Sequence, residues 1–236
     1  KATSLQEETI LLKNSLGRIC SNDIYANINS PPENVSSMDG YALKYSNLKN
    51  INKIPIKIVG ESAAGNPYTK KLNNYECVEI YTGAEVPKGA NLILLQERVI
   101  INNNHIVSTS QNYKKEQYVR KKSSNFKINS LIIKKNSLIT SRTLGLAISS
   151  NHTKIHVYKK PNIAILATGN ELKNPNKHLS NAIISSNTPL LISLIKSFGG
   201  NAHDLGIAKD TLNSLMKKLQ NINKFDILIT TGGASV

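Results

Sequence analysis

Tryptophan is absent from this chain, and aromatic residues make up only 5% of it. Hydrophobic residues still reach 39% of the 236 residues, so the cores must be built largely from aliphatic side chains. A chain of this length exceeds one average domain, and we therefore expect two or three compact units.

Cysteine is nearly absent: Cys20 and Cys77 are the only two, and neither stands in a CxxC or Cys/His metal-binding spacing. Isolated thiols are typical of a reducing compartment, which predicts a cytoplasmic protein without structural zinc. No apolar run approaches the roughly 18 residues that cross a bilayer, and no charged-then-apolar leader begins the chain. The sequence therefore predicts no membrane partner.

Acidic residues are scarce, with 15 Asp and Glu against 30 Lys and Arg, a net charge of +15. Such a balance suits a polyanionic partner, either nucleic acid or a phosphorylated small molecule. The basic residues are dispersed, however, with the clearest cluster at Arg120-Lys121-Lys122, and an ordinary solvated surface is the simpler interpretation. No helix-turn-helix, RRM or zinc pattern is present, which disfavours a nucleic-acid-binding protein but leaves it as an alternative.

Before residue 160 the patterns predict short, mostly extended elements. Ser4 and Glu7 form a capping box ahead of leucines near the helical period, which predicts an amphipathic helix over 4–17. Alternation from Ile54 to Leu95 predicts β-structure. The remaining predictions are a hairpin of strands 92–101 and 105–108 around an Asn turn, a strand over 131–139, a helix over 141–149 ended by Asn151, and a strand over 153–159.

After Pro161 the pattern changes to continuous apolar strands that alternate with helices. Strands are predicted at 162–167, 201–207 and 225–230, with helices capped by Thr188 and by Asp210 between them. Apolar strands alternating with helices are typical of a parallel sheet covered on both faces.

Two Gly-rich turns follow strands of this predicted parallel sheet, where ligands of open α/β sheets bind. Glycine lets backbone N–H groups approach an oxyanion, and neighbouring hydroxyls add donors. The alternative is that the glycines only permit tight turns. The residues of this candidate phosphate or oxyanion crevice are Thr168, Gly169, Thr231, Gly232, Gly233 and Ser235.

Two acids stand beside turns of this kind. Glu171 follows the first Gly-rich turn and is a candidate ligand for a hard cation such as Mg²⁺, with an ordinary solvated loop acid as the alternative. Asp39, which precedes Gly40, is either a site residue or only a turn former.

Six segments, in order, resemble the signature motifs of the molybdopterin molybdenumtransferase (MoeA and gephyrin E-domain) family. One such motif is of modest specificity, but the ordered series runs from about Leu5 to the last residue and is highly specific. The segments are Ser36–Ala42, Ala64–Tyr68, Ile80–Ala90, Ala167–Leu172, Leu205–Asp210 and Thr231–Val236.

The resemblance implies a multidomain, elongated homodimer. A β-rich domain at 27–118 would be inserted in a small mixed α/β domain, made of 1–26 plus 119–158, that links and dimerises. From 159 to 236 would follow the first part of an α/β domain with a mostly parallel sheet, similar to molybdopterin adenylyltransferase. The chain begins at Lys1 without Met and stops just after a Gly-Gly turn, so we expect a fragment truncated at both ends.

The activity implied by the resemblance is insertion of molybdenum from molybdate into adenylylated molybdopterin, with release of AMP and with Mg²⁺ as cofactor. Asp39, Thr82 and Glu171 would be catalytic, with Asp39 and Thr82 facing the cleft from one subunit. Glu171 and Asp210 would hold the metal on the other subunit, where Asp210 and the two Gly-rich turns would bind substrate. Molybdopterin adenylyltransferase is the expected protein partner.

The chain departs from the family pattern at three acids, where Ser124, Asn125 and Asn170 stand. An amide supplies no negative charge to a metal and cannot act as a base. Reduced metal affinity or rate is one consequence; a non-catalytic scaffold like the gephyrin E domain, or a decayed copy, is the alternative.

Overall fold

A computed structural model of the chain describes residues 5–51, 53–109, 112–175 and 182–232. These residues form two compact units. The β-rich unit comprises Ile24–Ile132 and Leu146–His152, and the α/β unit comprises the residues up to Asp23, Ile133–Gly145 and the chain from Thr153 onward. The three domains expected from the sequence have boundaries that differ from those of these two units. That division into three domains stays a prediction.

Seventeen strands and three α-helices are assigned in the described residues. The strands are β1 Glu7–Leu11, β2 Ile24–Tyr25, β3 Val35–Ser36, β4 Gly40–Leu43, β5 Ile56–Ser62, β6 Glu76–Ile80, β7 Leu92–Leu95, β8 Val99–Asn102, β9 His105–Ser108, β10 Val119–Arg120, β11 Leu131–Ile133, β12 Lys154–Tyr158, β13 Asn162–Thr168, β14 Leu172–Lys173, β15 Ile183–Ile184, β16 Asn201–Ala208 and β17 Ile227–Thr231. The helices are α1 Ser141–Ser149, α2 Asn187–Ser197 and α3 Leu212–Leu219. None of these helices is long and apolar enough to cross a membrane.

The β-rich unit is organised by a six-stranded sheet of order β7-β4-β6-β5-β9-β8. Only β5 and β6 pair in parallel; the other neighbours are antiparallel. Successive residues of β4 enter different clusters, Tyr41 and Leu43 one and Ala42 the other, because strand side chains alternate between faces. The central strands are therefore buried on both sides.

The β-structure predicted from Ile54 to Leu95 is confirmed, and so is the hairpin turn. Asn103 and Asn104 have φ of 46° and 63°, in the left-handed region that Asn tolerates. The first strand of the predicted hairpin is shorter than expected, because a 3-10 turn at Gln96–Arg98 separates β7 from β8.

The α/β unit contains the predicted parallel sheet, with β13 at its centre between β16 and β17. Residues 164–167 of β13 are completely buried, as the continuous apolar run of this strand predicts. The parallel arrangement places the carboxyl ends of all three strands at one edge, with Thr168 beside Ala208 and Ala167 beside Thr231.

The predicted helix over 4–17 is wrong. Residues Glu7–Leu11 form β1, which pairs antiparallel with β12, and only Leu12–Asn14 form a 3-10 turn. Pairing with residues about 150 positions away outweighs the weak helical period of the leucines, and the β-branched Thr9 and Ile10 suit a strand. Ser4 of the expected capping box lies outside the described residues.

Other boundaries also differ from the sequence predictions. The strand expected over 131–139 ends at Ile133, and α2 begins at Asn187, so Thr188 lies inside it and does not cap it. The N-cap of α3 is Thr211, whose hydroxyl accepts from the Ser214 N–H, and not Asp210. The helix over 141–149 and its left-handed end at Asn151, with φ of 70°, are confirmed.

Candidate functional site

Asp39 and Thr82 lie side by side in the β-rich unit. Gly40 of β4 pairs with Ile80 of β6, so the residues flanking these strand ends are neighbours. Asp39 Oδ1 accepts one hydrogen bond from the Thr82 backbone N–H at 2.7 Å and another from the Thr82 hydroxyl at 2.8 Å. These two bonds to the charged form hold the pKa of the Asp39 carboxyl below its ordinary value.

Gly40 explains why this loop can sit so close to the sheet. A Cβ at Gly40 would lie 1.8 Å from the Leu94 carbonyl oxygen, a distance that no side chain can tolerate. The glycine therefore permits the approach of β4 to β7 directly behind Asp39. The acid-glycine pair signals a tight turn in the sequence, but the identity of the strand behind it does not follow from the sequence.

Thr168, Gly169, Thr231 and Gly232 come together in the α/β unit, at the carboxyl-end edge of the parallel sheet. The Thr168 hydroxyl donates to the Thr231 carbonyl oxygen at 3.2 Å. Gly232 has φ of 99°, and a Cβ there would lie 2.1 Å from the Thr168 carbonyl oxygen. Glycine is thus required at this crossing, whatever binds there. Gly233 and Ser235 of the same predicted turn lie outside the described residues.

Asp210 and Asn170 face each other across this edge. Asp210 Oδ2 accepts from the Asn170 backbone N–H at 3.2 Å, and Asn170 Oδ1 accepts from the Asp210 backbone N–H at 3.3 Å. From the sequence, Asn170 is recognised only as a position where the family pattern has an acid. Its role as a hydrogen-bond partner of Asp210 becomes visible when the two strand ends are adjacent.

Glu171 lies next in the chain, and its carboxylate folds back over Gly169. Its Oε1 is 2.5 Å from the position that a Cβ on Gly169 would take, so a Cβ there would displace this carboxylate. Two carboxylates, Glu171 and Asp210, therefore belong to the loops at this edge of the sheet. Oxygen donors of this kind suit Mg²⁺, which is commonly held by one or two carboxylates with water and substrate phosphates completing its shell.

No group of three or more His, Cys, Asp or Glu residues suited to a metal was found among the described residues. A divalent cation held by Glu171 and Asp210 would therefore need oxygens from water or from a phosphorylated substrate. The residues fit a metal that arrives with an anionic substrate better than a permanently caged ion.

The second departure, Asn125, also takes part in hydrogen bonds. Arg120 Nη2 donates to Asn125 Oδ1 at 2.5 Å, and Asn125 Nδ2 donates to the Ser30 hydroxyl at 3.0 Å. The Asn125 amide thus accepts a hydrogen bond from the Arg120 guanidinium as a carboxylate would. Because the amide is neutral, it does not compensate the positive charge of Arg120.

The predicted site residues thus fall into two groups. Asp39 and Thr82 belong to the β-rich unit, whereas Thr168, Gly169, Glu171, Asp210, Thr231 and Gly232 belong to the α/β unit. Each group is brought together within its own unit. The expected meeting of the two groups across a cleft between subunits stays a prediction.

Two protein families match this chain, and together their matches cover most of both units. Residues 1–150 match the family described as the MoeA N-terminal region (domain I and II), which is more than half of the chain. The chain belongs to the MoeA family. Residues 164–236 match the probable molybdopterin binding domain family, so the resemblance inferred from the motifs is confirmed.

Two curated relatives of this MoeA-family chain are named molybdopterin molybdenumtransferase. The protein from Haemophilus influenzae is 30% identical over 233 residues, which cover 98% of this chain and 57% of the relative. The protein from Staphylococcus aureus is 28% identical over 239 residues, covering 99% and 57%. The chain thus spans a little more than half the length of these relatives.

Solved structures agree with the fold of this MoeA-family chain. The crystal structure of a molybdopterin biosynthesis MoeA protein from Pyrococcus horikosii matches with a TM-score of 0.88 at 29% identity, covering 98% of this chain and 60% of that one. A second structure from Pyrococcus horikoshii OT3 matches with a TM-score of 0.86 at 24% identity, which supports the fold alone. The expected combination of a β-rich region with a partly parallel α/β region is confirmed.

Proposed function

We propose that the protein to which this chain belongs inserts molybdenum from molybdate into adenylylated molybdopterin and releases AMP. The observation that carries the proposal is the pair of family matches, in order, over the two units in which the predicted site residues gather. The curated relatives bear the name of this transferase, which is the second support.

The edge of the parallel sheet would hold the phosphates of the substrate. Gly169 and Gly232, in the loops after β13 and β17, have φ of 151° and 99°, conformations that L side chains rarely adopt. Neither glycine carries a side chain of its own that would keep a ligand from the backbone. Hydroxyls of Thr168 and Thr231 stand beside them. Fixed dipoles and donors aimed at developing negative charge are what cleavage of a phosphoanhydride needs.

Glu171 and Asp210 would hold Mg²⁺ against the substrate phosphates, which would neutralise charge on the leaving AMP. Asp39 would present Thr82 in a fixed orientation, because its carboxylate already accepts both Thr82 donors. A homodimer that brings Asp39 and Thr82 of one subunit to the phosphate edge of the other would complete the site. The net charge of +15 favours the approach of two anionic substrates.

The partners and the location follow from this role. Adenylylated molybdopterin would be received from a molybdopterin adenylyltransferase, which is the protein partner that we propose. A reducing cytoplasm suits the two cysteines, which are both free and buried.

The test is AMP release by the full-length parent, supplied with adenylylated molybdopterin, molybdate and Mg²⁺. We expect AMP only when all three are present, and loss of release in Glu171→Gln. An exposed-residue variant outside both groups, Lys49→Ala, is the matched control and should release AMP as the parent does. A folded parent that releases no AMP under these conditions would contradict the proposal.

A non-catalytic scaffold is the second candidate, because Asn125 and Asn170 stand where the family has acids. If the parent is inactive, the double variant Asn125→Asp, Asn170→Asp distinguishes decay from a scaffold role. Recovery of AMP release would reject the scaffold; continued absence in a folded protein would support it.

A further inference from the structure

The loops after β13 and β16 are tied together at the edge of the parallel sheet. Besides the pairing of Thr168 with Ala208, the Gly169 N–H donates to the Ala208 carbonyl oxygen at 3.1 Å. One residue further on, Asn170 and Asp210 exchange the two hydrogen bonds of 3.2 and 3.3 Å. We call this pair the Asn170–Asp210 clamp.

The clamp uses one oxygen of each side chain and both backbone N–H groups. Asn170 Oδ1 satisfies the Asp210 N–H, and Asp210 Oδ2 satisfies the Asn170 N–H, so each side chain fixes the backbone of the other loop. Within the part of the chain that the structure describes, no donor reaches Asp210 Oδ1, and this oxygen would face a ligand. The only feature of residue 170 that the clamp needs is a carbonyl-type oxygen, which Asn and Asp both have.

We propose that Asn170 is the positioning residue of Asp210, and that its amide keeps the loop geometry of a carboxylate while removing one negative charge beside the cation site. The proposal rests on the proposed function only in naming Mg²⁺ as that cation. The substitution that looks like a lost catalytic acid is then an electrostatic adjustment, and the crevice keeps its shape.

Two substitutions separate the geometric from the electrostatic effect. Asn170→Asp keeps an oxygen in the clamp and adds a charge, whereas Asn170→Ala removes the oxygen and adds none. Asn221→Ala removes an exposed amide that makes no capping hydrogen bond in the same unit, and is the matched control.

Hydrogen–deuterium exchange of the full-length parent reports the clamp without any substrate. In Asn170→Ala, peptides that cover residues 169–172 and 208–211 should exchange severalfold faster than in the parent. In Asn170→Asp and in the control they should exchange at the parent rate. Unchanged exchange in Asn170→Ala would overturn the clamp.

Calorimetric titration with Mg²⁺ alone reports the electrostatic effect. An added carboxylate within several ångströms of a divalent cation in a solvated site should tighten the Mg²⁺ dissociation constant of Asn170→Asp by about fivefold to tenfold. Asn170→Ala should weaken it severalfold, because the Asp210 backbone N–H loses its acceptor and the loop that carries Asp210 is no longer tied to the loop after β13. Equal dissociation constants in the parent and both variants would overturn the positioning role.

These outcomes are distinguishable from a failure of the proposed function. If the parent releases no AMP while exchange and Mg²⁺ titration behave as expected, the transferase proposal fails and the positioning role of Asn170 stands. If the parent releases AMP while substitution of Asn170 changes neither the exchange rates nor the Mg²⁺ affinity, the transferase proposal stands and the positioning role of Asn170 fails.

Discussion

The two units bury their strands to different degrees. In the β-rich unit, side chains on both faces of β4 and its neighbours are buried, and Ala42, Leu43, Val78 and Ile93 are completely buried. In the α/β unit, complete burial within the sheet is concentrated in β13. Large apolar side chains at its helices are open to solvent: Phe198, just after α2, is 87% exposed, and Leu212 of α3 is 74% exposed.

The same contrast is found in the hydrogen bonds that hold the two groups of candidate site residues. Asp39 and Thr82 are fixed by two short hydrogen bonds next to a buried core, whereas the loops at the carboxyl-end edge of the parallel sheet are held by the longer hydrogen bonds between Asn170 and Asp210. We therefore expect the Asp39–Thr82 pair to be preformed and the loops at the carboxyl-end edge of the parallel sheet to be more adaptable.

The largest expected effect concerns the two thiols, one in each unit. Burial is the main cause that raises the pKa of Cys77 in the β-rich unit to about 12, and burial also raises the pKa of Cys20 in the α/β unit. Alkylation needs the thiolate, whose fraction at pH 8 should be about a thousandfold smaller for native Cys77 than for a free thiol. Mass spectrometry after iodoacetamide labelling should find Cys77 modified only in urea.

Native labelling of Cys77 at a rate close to that of Cys20 would break the comparison, because it would mean that the β-rich core opens as readily as the α/β unit. The chain labelled in urea supplies the control for complete reactivity of both thiols.

The next largest effect is the loss of stability when a glycine beside each group of site residues is replaced by alanine. Gly40→Ala should destabilise the β-rich unit by about 3 kcal/mol, because the new Cβ would meet the Leu94 carbonyl at 1.8 Å in a sheet that cannot move. Gly232→Ala places a Cβ 2.1 Å from the Thr168 carbonyl but in the smaller sheet, so we expect a loss of about 2 kcal/mol.

Urea denaturation followed by circular dichroism measures both glycine variants. Gly145→Ala in α1 is the matched control: no atom lies within 4 Å of the new Cβ, and Ala should stabilise the helix by about 0.5 to 1 kcal/mol. Equal or reversed losses at Gly40 and Gly232 would contradict the assignment of greater rigidity to the β-rich unit.

A smaller effect concerns pH and the Asp39–Thr82 pair. The pKa of Asp39 is lowered first by the Thr82 backbone N–H and then by the Thr82 hydroxyl, below an ordinary value of 3.8. A lowered folded pKa means that the stabilisation is complete above the unfolded value and is lost as the pH falls through the folded value. The Thr82 amide proton shift should therefore titrate with a midpoint below 3.8, and Thr82→Val should raise the Asp39 midpoint.

A midpoint for Asp39 at or above 3.8 would mean that the two hydrogen bonds do not persist in solution. Glu76, whose pKa is lowered mainly by the Asn73 backbone N–H, provides an internal comparison on the same sheet.

The smallest expected effect is at Asn125. Asn125→Asp would face Arg120 with a charge in place of the amide that now accepts from it. An exposed ion pair of this kind should raise the free energy of unfolding by no more than about 0.5 kcal/mol in low salt, and the gain should fade as salt is added. Asn34, which accepts from the Lys122 N–H nearby, supplies the control variant Asn34→Asp. A gain above 1 kcal/mol would indicate that Arg120 is far less solvated than its exposure implies.

The sequence alone determined the family, the alternating strands of the β-rich unit, and the parallel strands with Gly-rich ends. These features have local causes: period-two alternation, continuous apolar runs for strands buried on both faces, and Asn or Gly where φ must be positive. The Asn103 and Asn104 turn and the left-handed Asn151 follow from the same causes.

Other features depend on contacts between segments that are far apart in the chain. The segment predicted as a helix over 4–17 is a strand because β12, far away in the chain, offers it a pairing edge. Asn170 positions Asp210, rather than being merely a lost acid, because two strand ends that are 40 residues apart in sequence are neighbours at one edge of a sheet. Hydrogen bonds between distant segments depend on which backbone groups become adjacent after folding, and that adjacency is a property of the whole chain.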